Sequence, residues 1–156
     1  MGTVPLEEII SLYAEYAACL DDGRFVDWPD FFTEDCVYRV VARENHGAGY
    51  PLAIMSLKGV AGLRDRVYGV TSTLFHAPYY QRHIIGLPAL RGRDGELAKV
   101  EANYLVVRTK RDALSEVYNA GKYVDLIATT PKGLKFHQKL CVFDSELIPN
   151  SMIYPI

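Results

Sequence analysis

The sequence lacks any long apolar run, any leader-like start and any basic cluster, and each absence excludes a class of protein. No stretch of the 156 residues approaches the twenty apolar residues of a membrane span. The first residues, MGTVPLEEII, lack the basic and then apolar layout of a signal peptide, so we expect a soluble, cytoplasmic protein. The chain has 17 basic and 19 acidic residues and no basic face, which argues against binding to nucleic acid.

Cysteine and histidine are too few and too scattered for a zinc site or a disulfide framework. The cysteines are odd in number, far apart and set among apolar neighbours, which predicts buried free thiols at Cys19, Cys36 and Cys141. The four histidines show no three- or four-residue helical spacing and no His-x-Glu or Asp-x-x-His pattern. Gly-x-Ser-x-Gly and phosphate-loop motifs are also missing. The sequence therefore predicts no metal site and no nucleophilic catalysis.

What the sequence does contain is a helical start and a strand-rich remainder. In PLEEIISLYAEYAACLDDG (5–23) the apolar residues follow the three-and-four spacing of one buried helix face, and RFVDWPDFF (24–32) fits a short second helix. The alternation in CVYRVVAREN (36–45) predicts a first strand. The expected later elements are a loop at 46–51, a strand at 52–57, a helix at 59–74, and strands at 80–90, 98–111, 115–129 and 134–144.

Short loops join the last four strands, so neighbouring strands should pair antiparallel. Helices first and long hairpins afterwards predict an α+β fold. In that fold, N-terminal helices cover one face of a strongly curved, mixed but mostly antiparallel sheet. The chain shows no internal repeat and no linker, so we expect one domain over residues 1–156.

A curved sheet closed by helices can form a dry pocket, in which one or two perturbed side chains suffice for acid–base catalysis. The candidate wall residues are Tyr13, Tyr16, Asp35, Tyr38, His83 and Tyr104. The alternative is that the tyrosines are core and interface residues whose hydroxyl groups find partners, and that Asp35 braces the helix-to-strand corner. The residues alone favour this structural interpretation without excluding the catalytic one.

Two motifs, together with the order of the elements around them, make the chain similar to one known family. WPDFFTEDCVYRV (28–40) follows a tyrosine-bearing first helix, and YQRHIIGLP (80–88) precedes three long strands. Over nearly its whole length the chain resembles the small (β) subunits of Rieske non-haem-iron aromatic-ring-hydroxylating oxygenases. RHIIGLP and the ending DSELIPNSMIYPI are most similar to subunits of systems that act on aromatic acids, such as salicylate 5-hydroxylase and terephthalate dioxygenase.

The resemblance implies the cone-shaped, cystatin-like fold of nuclear transport factor 2 and SnoaL. It also implies a structural role in an α3β3 oxygenase for the catabolism of an aromatic compound. The large subunit would carry a [2Fe–2S] Rieske cluster and a mononuclear Fe(II), while this chain would hold no cofactor and no catalytic residue. Its expected partners are that large subunit and the other small subunits of a trimer.

Two groups of residues receive structural roles. Aromatic and arginine side chains carry interface energy, so we expect a subunit contact at Tyr79, Tyr80, Arg82 and His83. The alternative for Arg82 and His83 is an internal hydrogen-bonded brace. The corner that joins the helices to the first strand is assigned to Trp28, Phe32, Asp35 and Tyr38.

Two rival functions belong to the same fold. The first is an independent dehydratase or isomerase with an Asp/His/Tyr pocket. Against it, Val40 lies near the position of the catalytic carboxylate of ketosteroid isomerases, with the cation Arg39 beside it. For a dehydratase, His83 and Asp35 would supply only part of the required set. The second rival is a binding module for a small apolar ligand, which nothing in the sequence excludes.

Overall fold

A computed structural model describes residues 4–145 and 152–156. Six residues of the ending DSELIPNSMIYPI, 146–151, and the first three residues of the chain lie outside this description. Three α-helices lie within the described part: α1 (Leu6–Asp21), α2 (Arg43–Gly47) and α3 (Gly59–Tyr68). Its strands are β1 (Phe32–Ala42), β2 (Met55–Lys58), β3 (Tyr79–Ile85), β4 (Ala89–Asp94), β5 (Leu97–Lys110), β6 (Glu116–Thr130) and β7 (Gly133–Phe143).

Helix α1 forms where the apolar spacing predicts it. Pro5 precedes the helix in an extended conformation, and Glu7 and Glu8 lie in the first turn, where negative charge is favourable. Its buried face consists of Ile9, Leu12, Tyr13, Tyr16, Cys19 and Leu20. This face packs against the sheet, so three polar side-chain atoms, two hydroxyls and one thiol, enter the core with the apolar groups.

One seven-stranded sheet carries the fold. Its strand order is β2-β1-β7-β6-β5-β3, with β4 also paired to β5. Strands β1 and β7 are parallel, and the other pairs are antiparallel. The expected α+β fold with a mixed, mostly antiparallel sheet is therefore confirmed. Strands β3 and β4 pair with successive parts of β5, so β3 lies at one edge of the sheet.

Several expected boundaries were wrong. The second helix is only a 3-10 turn, Trp28–Phe31, and β1 begins at Phe32 rather than at residue 36. The expected strand 80–90 is two strands, because Pro88 has no N–H and the chain turns after Ile85. The end of the predicted first strand and the start of the predicted loop form α2. Strand β2 begins at Met55 rather than at residue 52.

The larger core lies between the helices and one face of the sheet, called here the inner face. The opposite, outer face carries a small cluster of Val41, Leu140 and Val142. Gly121 lies where β6 passes very close to β7, since a Cβ atom there would overlap the carbonyl oxygen of Val142. Among the described residues, no helix is long and apolar enough to cross a membrane.

Candidate functional site

The inner face of the sheet holds a buried ion pair that joins two neighbouring strands. Asp125 of β6 and Lys139 of β7 are directly opposite each other in the ladder. The Lys139 ammonium lies 2.9 Å from Oδ2 of Asp125, and both side chains are 0% exposed. Tyr13 of α1 donates its hydroxyl to the same carboxylate at 2.5 Å, and the Leu140 backbone N–H donates at 3.1 Å. We call Tyr13, Asp125 and Lys139 the interior ion cluster.

Aromatic rings enclose the Lys139 ammonium. Its Nζ atom lies 3.4 Å from the centroid of the Tyr123 ring and 4.3 to 4.8 Å from those of Phe136, Tyr16 and Tyr13. The negative faces of such rings attract a cation, which offsets part of the cost of removing the ammonium from water. The lysine is thus held by one carboxylate and by π systems.

Burial dominates the electrostatics of the interior ion cluster. It raises the pKa of the Asp125 carboxyl, while the Lys139 charge and the three hydrogen bonds oppose this shift. Burial also raises the pKa of the Tyr13 hydroxyl well above its ordinary value, and the Asp125 carboxylate adds to that shift. Because Asp125 and Lys139 have no exposed side-chain surface, the pair cannot contact a substrate from solution in this conformation.

A second polar group of the interior binds the chain itself. The hydroxyls of Tyr16 and Tyr38 donate to the Ile156 carbonyl oxygen at 2.8 and 3.0 Å, and the Cys141 thiol lies 3.6 Å from the same oxygen. The Ile156 N–H donates back to the Tyr38 hydroxyl at 3.0 Å. Burial raises the pKa of both tyrosines well above the ordinary value, so they stay protonated donors. Ile156 itself is 0% exposed.

The structure buries five of the six expected pocket residues, and four of the five are tyrosines. The tyrosines are Tyr13, Tyr16, Tyr38 and Tyr104, and each hydroxyl has a hydrogen-bond partner inside the protein. Tyr104 donates to Asn119 at 2.6 Å and stacks on Tyr123. The other two expected residues, His83 and Asp35, contact different groups on different elements, so they do not form a catalytic pair.

The helix-to-strand corner is built from aromatic side chains. Trp28 packs edge-to-face on Phe32 and on Tyr38, with ring centroids 5.4 and 5.1 Å apart. Asp35 differs from its expected role as a brace, because its side chain is 81% exposed. Its carboxylate lies 3.5 Å from Nδ1 of His137 at the surface. A strand residue that points to solvent cannot hold the corner together.

Strand β3 turns its four candidate interface residues in two directions. Tyr80 and Arg82 point to solvent, and the exposed fraction of Tyr80 is 79%. Tyr79 packs inward on Tyr154, with ring centroids 4.4 Å apart. His83 is buried, and its Nδ1 atom and its backbone N–H both lie within 3.1 Å of the Asp21 carboxylate at the end of α1. The alternative interpretation was an internal hydrogen-bonded brace formed by Arg82 and His83. Only His83 makes such a contact, because Arg82 points to solvent.

Sequence reasoning missed the interior ion cluster. The alternation of residues along β6 could have revealed it. Tyr123, Asp125 and Ile127 share one face of that strand, so a charge at position 125 must be buried with its apolar neighbours. Lys139 and Cys141 share the matching face of β7. The binding of residues 152–156 in the interior was also missed, and their contacts are all with residues far away in the sequence.

Within residues 4–145 and 152–156, no three His, Cys, Asp or Glu side chains are grouped so that they could hold a metal ion. The three cysteines are free and buried, as expected. Burial raises the pKa of the Cys36 thiol to about 11 and that of Cys141 to about 12. Such thiols are poor nucleophiles at neutral pH, because the thiolate is the reactive form.

Comparisons with known proteins agree with this architecture. A family model described as the SnoaL-like domain matches residues 6–139. The small subunit of anthranilate 1,2-dioxygenase from Burkholderia cepacia is 37% identical over 96% of this chain and 92% of that protein. The β1 subunit of the terminal oxygenase component of terephthalate 1,2-dioxygenase from a Comamonas species is 30% identical over 96% of this chain and 97% of that protein.

Solved structures show the same likeness. The β subunit of a proposed aromatic-ring-hydroxylating dioxygenase from Novosphingobium aromaticivorans has a TM-score of 0.88 and 34% identity, and the match covers 97% of this chain and 96% of that one. The β subunit of benzoate 1,2-dioxygenase from Burkholderia mallei shares the fold with a TM-score of 0.76 at 19% identity, covering 92% of this chain and 93% of that one.

Proposed function

Because the chain belongs to the small subunits of aromatic-ring dioxygenases, which share the SnoaL-like domain, we propose that it is the non-catalytic, structural subunit of such an oxygenase. One observation carries the proposal. The groups of the interior ion cluster are engaged with each other, and the Tyr16 and Tyr38 hydroxyls are engaged with Ile156, so these possible acids and bases already have partners. They hold the fold together and are not free to act on a substrate in this conformation.

The proposed partner is a large oxygenase subunit that carries the iron centres, a [2Fe–2S] Rieske cluster and a mononuclear Fe(II), in a cytoplasmic α3β3 complex. The cysteines and histidines of this chain do not fit either centre, because the thiols are buried and separate and His83 is held by Asp21. The ring chemistry therefore belongs to the large subunit in this proposal. This chain supplies a rigid base on which that subunit is held.

The proposed substrate class is an aromatic carboxylic acid. The two relatives described above are named for anthranilate and terephthalate, and both compounds are aromatic carboxylates. In this proposal the choice of substrate is made by the large subunit.

The proposed subunit contact lies on the exposed side of β3. Tyr80, Arg82 and Ile84 alternate along the strand on the same side, and all three are exposed. An exposed aromatic ring, a guanidinium group and an aliphatic side chain in one row combine the residue types that dominate interfaces. Tyr79 and His83 belong to this proposal indirectly, because their inward contacts fix the strand from behind.

Co-expression with the longer chain that carries the Rieske ligands tests the proposal. The gene for that chain is expected beside the gene for this one. We expect the two chains to elute as one complex that hydroxylates an aromatic acid and contains iron, and we expect this chain alone to contain no stoichiometric iron. Tyr38→Phe should leave kcat per assembled complex unchanged within about twofold, because a residue that only supports the fold does not contact the reacting atoms.

Two results would overturn the assignment. One is a large subunit that assembles and turns over fully in the absence of this chain. The other is a loss of kcat of about a hundredfold or more in an intact Tyr38→Phe complex, which is the size expected for removal of an acid–base catalyst. Replacing an iron ligand of the large subunit is the matched control and should abolish turnover.

A further inference from the structure

Residues 152–156 enter the interior of the cone, where Pro155 and Ile156 are buried. We propose that this interior is a binding cleft for a short apolar chain with a carbonyl oxygen, and that residues 152–156 occupy it as an intramolecular ligand that can leave without unfolding the sheet. We call these residues, Met-Ile-Tyr-Pro-Ile, the inserted segment. The proposal goes beyond the subunit role, because it assigns a binding function to the cleft itself.

Side chains of the surrounding elements recognise the main chain of the inserted segment. Arg66 of α3 donates to the carbonyl oxygens of Met152 and Ile153 at 2.6 and 2.7 Å. Gln81 of β3 donates to Pro155 at 3.4 Å. The innermost carbonyl, that of Ile156, takes the two tyrosine hydroxyls described above. Four of the five carbonyl groups thus have a side-chain donor, which is how a protein binds an extended peptide ligand.

Aromatic contacts hold the middle of the inserted segment. The Tyr154 ring stacks on Phe25 and lies against Tyr79, with centroids 4.7 and 4.4 Å apart. Its hydroxyl lies 2.9 Å from Nε2 of His76. Its backbone N–H donates to the Tyr79 hydroxyl at 3.2 Å. Tyr154 is therefore the main anchor outside the buried end.

The inserted segment lies outside the strand ladder. In the part of the chain that the structure describes, the sheet is made of β1 to β7, and every hydrogen bond of the segment named above involves a side chain of the surrounding elements. Withdrawal of the segment would therefore break side-chain contacts and leave the backbone pairing of the sheet intact. Local openings of this kind are less costly than global unfolding. The vacated cleft would present two hydroxyl donors at the end of an apolar cavity.

Cys141 reports whether the cleft opens. Its thiol is 0% exposed and lies beside the Ile156 carbonyl, so a reagent reaches it when the inserted segment leaves. Cys36 on β1 also has no exposed surface and has no contact with the segment among the hydrogen bonds described, so it serves as an internal control for opening elsewhere in the fold. Methyl methanethiosulfonate is applied to the full chain, and peptide mass spectrometry gives the rate at each thiol.

The variant Tyr154→Ala removes the main anchor. We expect the rate at Cys141 to rise about tenfold or more, because loss of a packed aromatic ring weakens the segment by well over a factor of ten in equilibrium. The rate at Cys36 should stay within about twofold of wild type. Arg66→Gln is a second, milder variant with the same expected order of rates. Tyr68→Ala, an exposed tyrosine of α3, is the matched control and should change neither rate.

Parallel increases at both thiols would overturn the proposal, because they would make the inserted segment an inseparable part of the core. An unchanged rate at Cys141 in both variants would overturn it as well.

The ligand character is tested by adding the free pentapeptide Met-Ile-Tyr-Pro-Ile to the Tyr154→Ala protein at millimolar concentration. Selective slowing at Cys141, absent with the scrambled peptide Ile-Pro-Ile-Met-Tyr, is the expected result. No difference between the two peptides would contradict a specific cleft.

Discussion

At the residue scale, the interior ion cluster places two charges where no water reaches them. An ion pair removed from water gains stability only when each charge is fully partnered, and a single unpaired member is strongly destabilising. Asp125 has the ammonium, a tyrosine hydroxyl and a backbone N–H, and Lys139 has the carboxylate and four aromatic rings. The pair is therefore a structural unit whose two members depend on each other.

Replacing Lys139 by Met should destabilise the protein by about 3 kcal/mol at pH 8, because the Asp125 carboxylate is left buried without its counter-charge. Without Lys139 the folded-state pKa of Asp125 rises further above its unfolded value. The folded state then binds a proton more readily than the unfolded state, so stability falls as pH rises between those two pKa values. We therefore expect the variant to regain stability, relative to wild type, as the pH is lowered from 8 to 5.

Urea unfolding at several pH values measures this effect. Lys99→Met is the matched control, because Lys99 is an exposed residue of β5, and we expect a change of no more than about 0.5 kcal/mol at any pH. A Lys139→Met deficit that stayed constant from pH 8 to 5 would show that the lost packing matters and the unpaired charge does not.

At the element scale, one carboxylate ties the first helix to the edge of the sheet. Asp21, the last residue of α1, accepts the backbone N–H of His83 with both oxygens, at 3.1 and 2.9 Å, and lies 2.6 Å from its Nδ1. An edge strand has backbone N–H groups that no neighbouring strand satisfies. The helix end thus covers a donor that would otherwise be buried and unpaired.

Asp21→Ala should lower the free energy of unfolding by about 2 kcal/mol, because two buried donors of His83 lose their acceptor. Asp22→Ala is a control one residue away. The Asp22 side chain is 61% exposed and its ion pair with Arg24 is long, at 3.8 Å, so we expect a change within about 0.5 kcal/mol. Equal losses in the two variants, measured by chemical denaturation, would refute the tie between α1 and β3.

Periodicity predicted the long elements because their burial follows a local pattern. Helix α1 and strands β5 to β7 each repeat that pattern over ten residues or more, and the α+β arrangement follows from their order. The short elements failed for a physical reason. Helix α2 has five residues and no buried one, so its hydrophobic pattern carries no information. Pro88 indicated a break between β3 and β4. The apolar residues on both sides of it favoured one continuous strand, so the break was not predicted.

The interior of the cone was only half predictable. Aromatic positions on α1 and β1 indicated which tyrosines face inward, since each lies in register with apolar neighbours. The partners of those tyrosines could not be predicted, because Tyr16 and Tyr38 meet Ile156 across more than a hundred residues. Five residues without a repeat give no periodicity to follow. Their position depends on the cleft that the rest of the chain has already formed.

At the scale of the whole molecule, the interior ion cluster and the Tyr16 and Tyr38 hydroxyls are engaged within the chain, while one edge of the sheet offers aromatic and cationic groups to solvent. Tyr80, Arg82 and Ile84 are held in place from behind by the contacts of Tyr79 and His83. A protein whose interior groups are bound to each other, and whose sheet edge is exposed, contributes to a complex through its surface. The proposed role as a structural subunit therefore predicts that surface changes at β3 affect assembly and leave the fold intact.

Tyr80→Ala and Arg82→Glu should each weaken assembly with the large subunit or between small subunits by about 2 kcal/mol, which is typical for a central interface residue. The free energy of unfolding of the isolated chain should change by no more than about 0.5 kcal/mol, since both side chains are exposed. Light scattering of the mixed subunits and urea unfolding of the single chain measure the two quantities separately.

Tyr50→Ala is the matched control: Tyr50 is 62% exposed and lies just before β2, the strand at the opposite edge of the sheet. If Tyr50→Ala weakened assembly as much as Tyr80→Ala, the contact could not be assigned to β3. If neither β3 variant changed assembly, the contact would lie on another face of the chain.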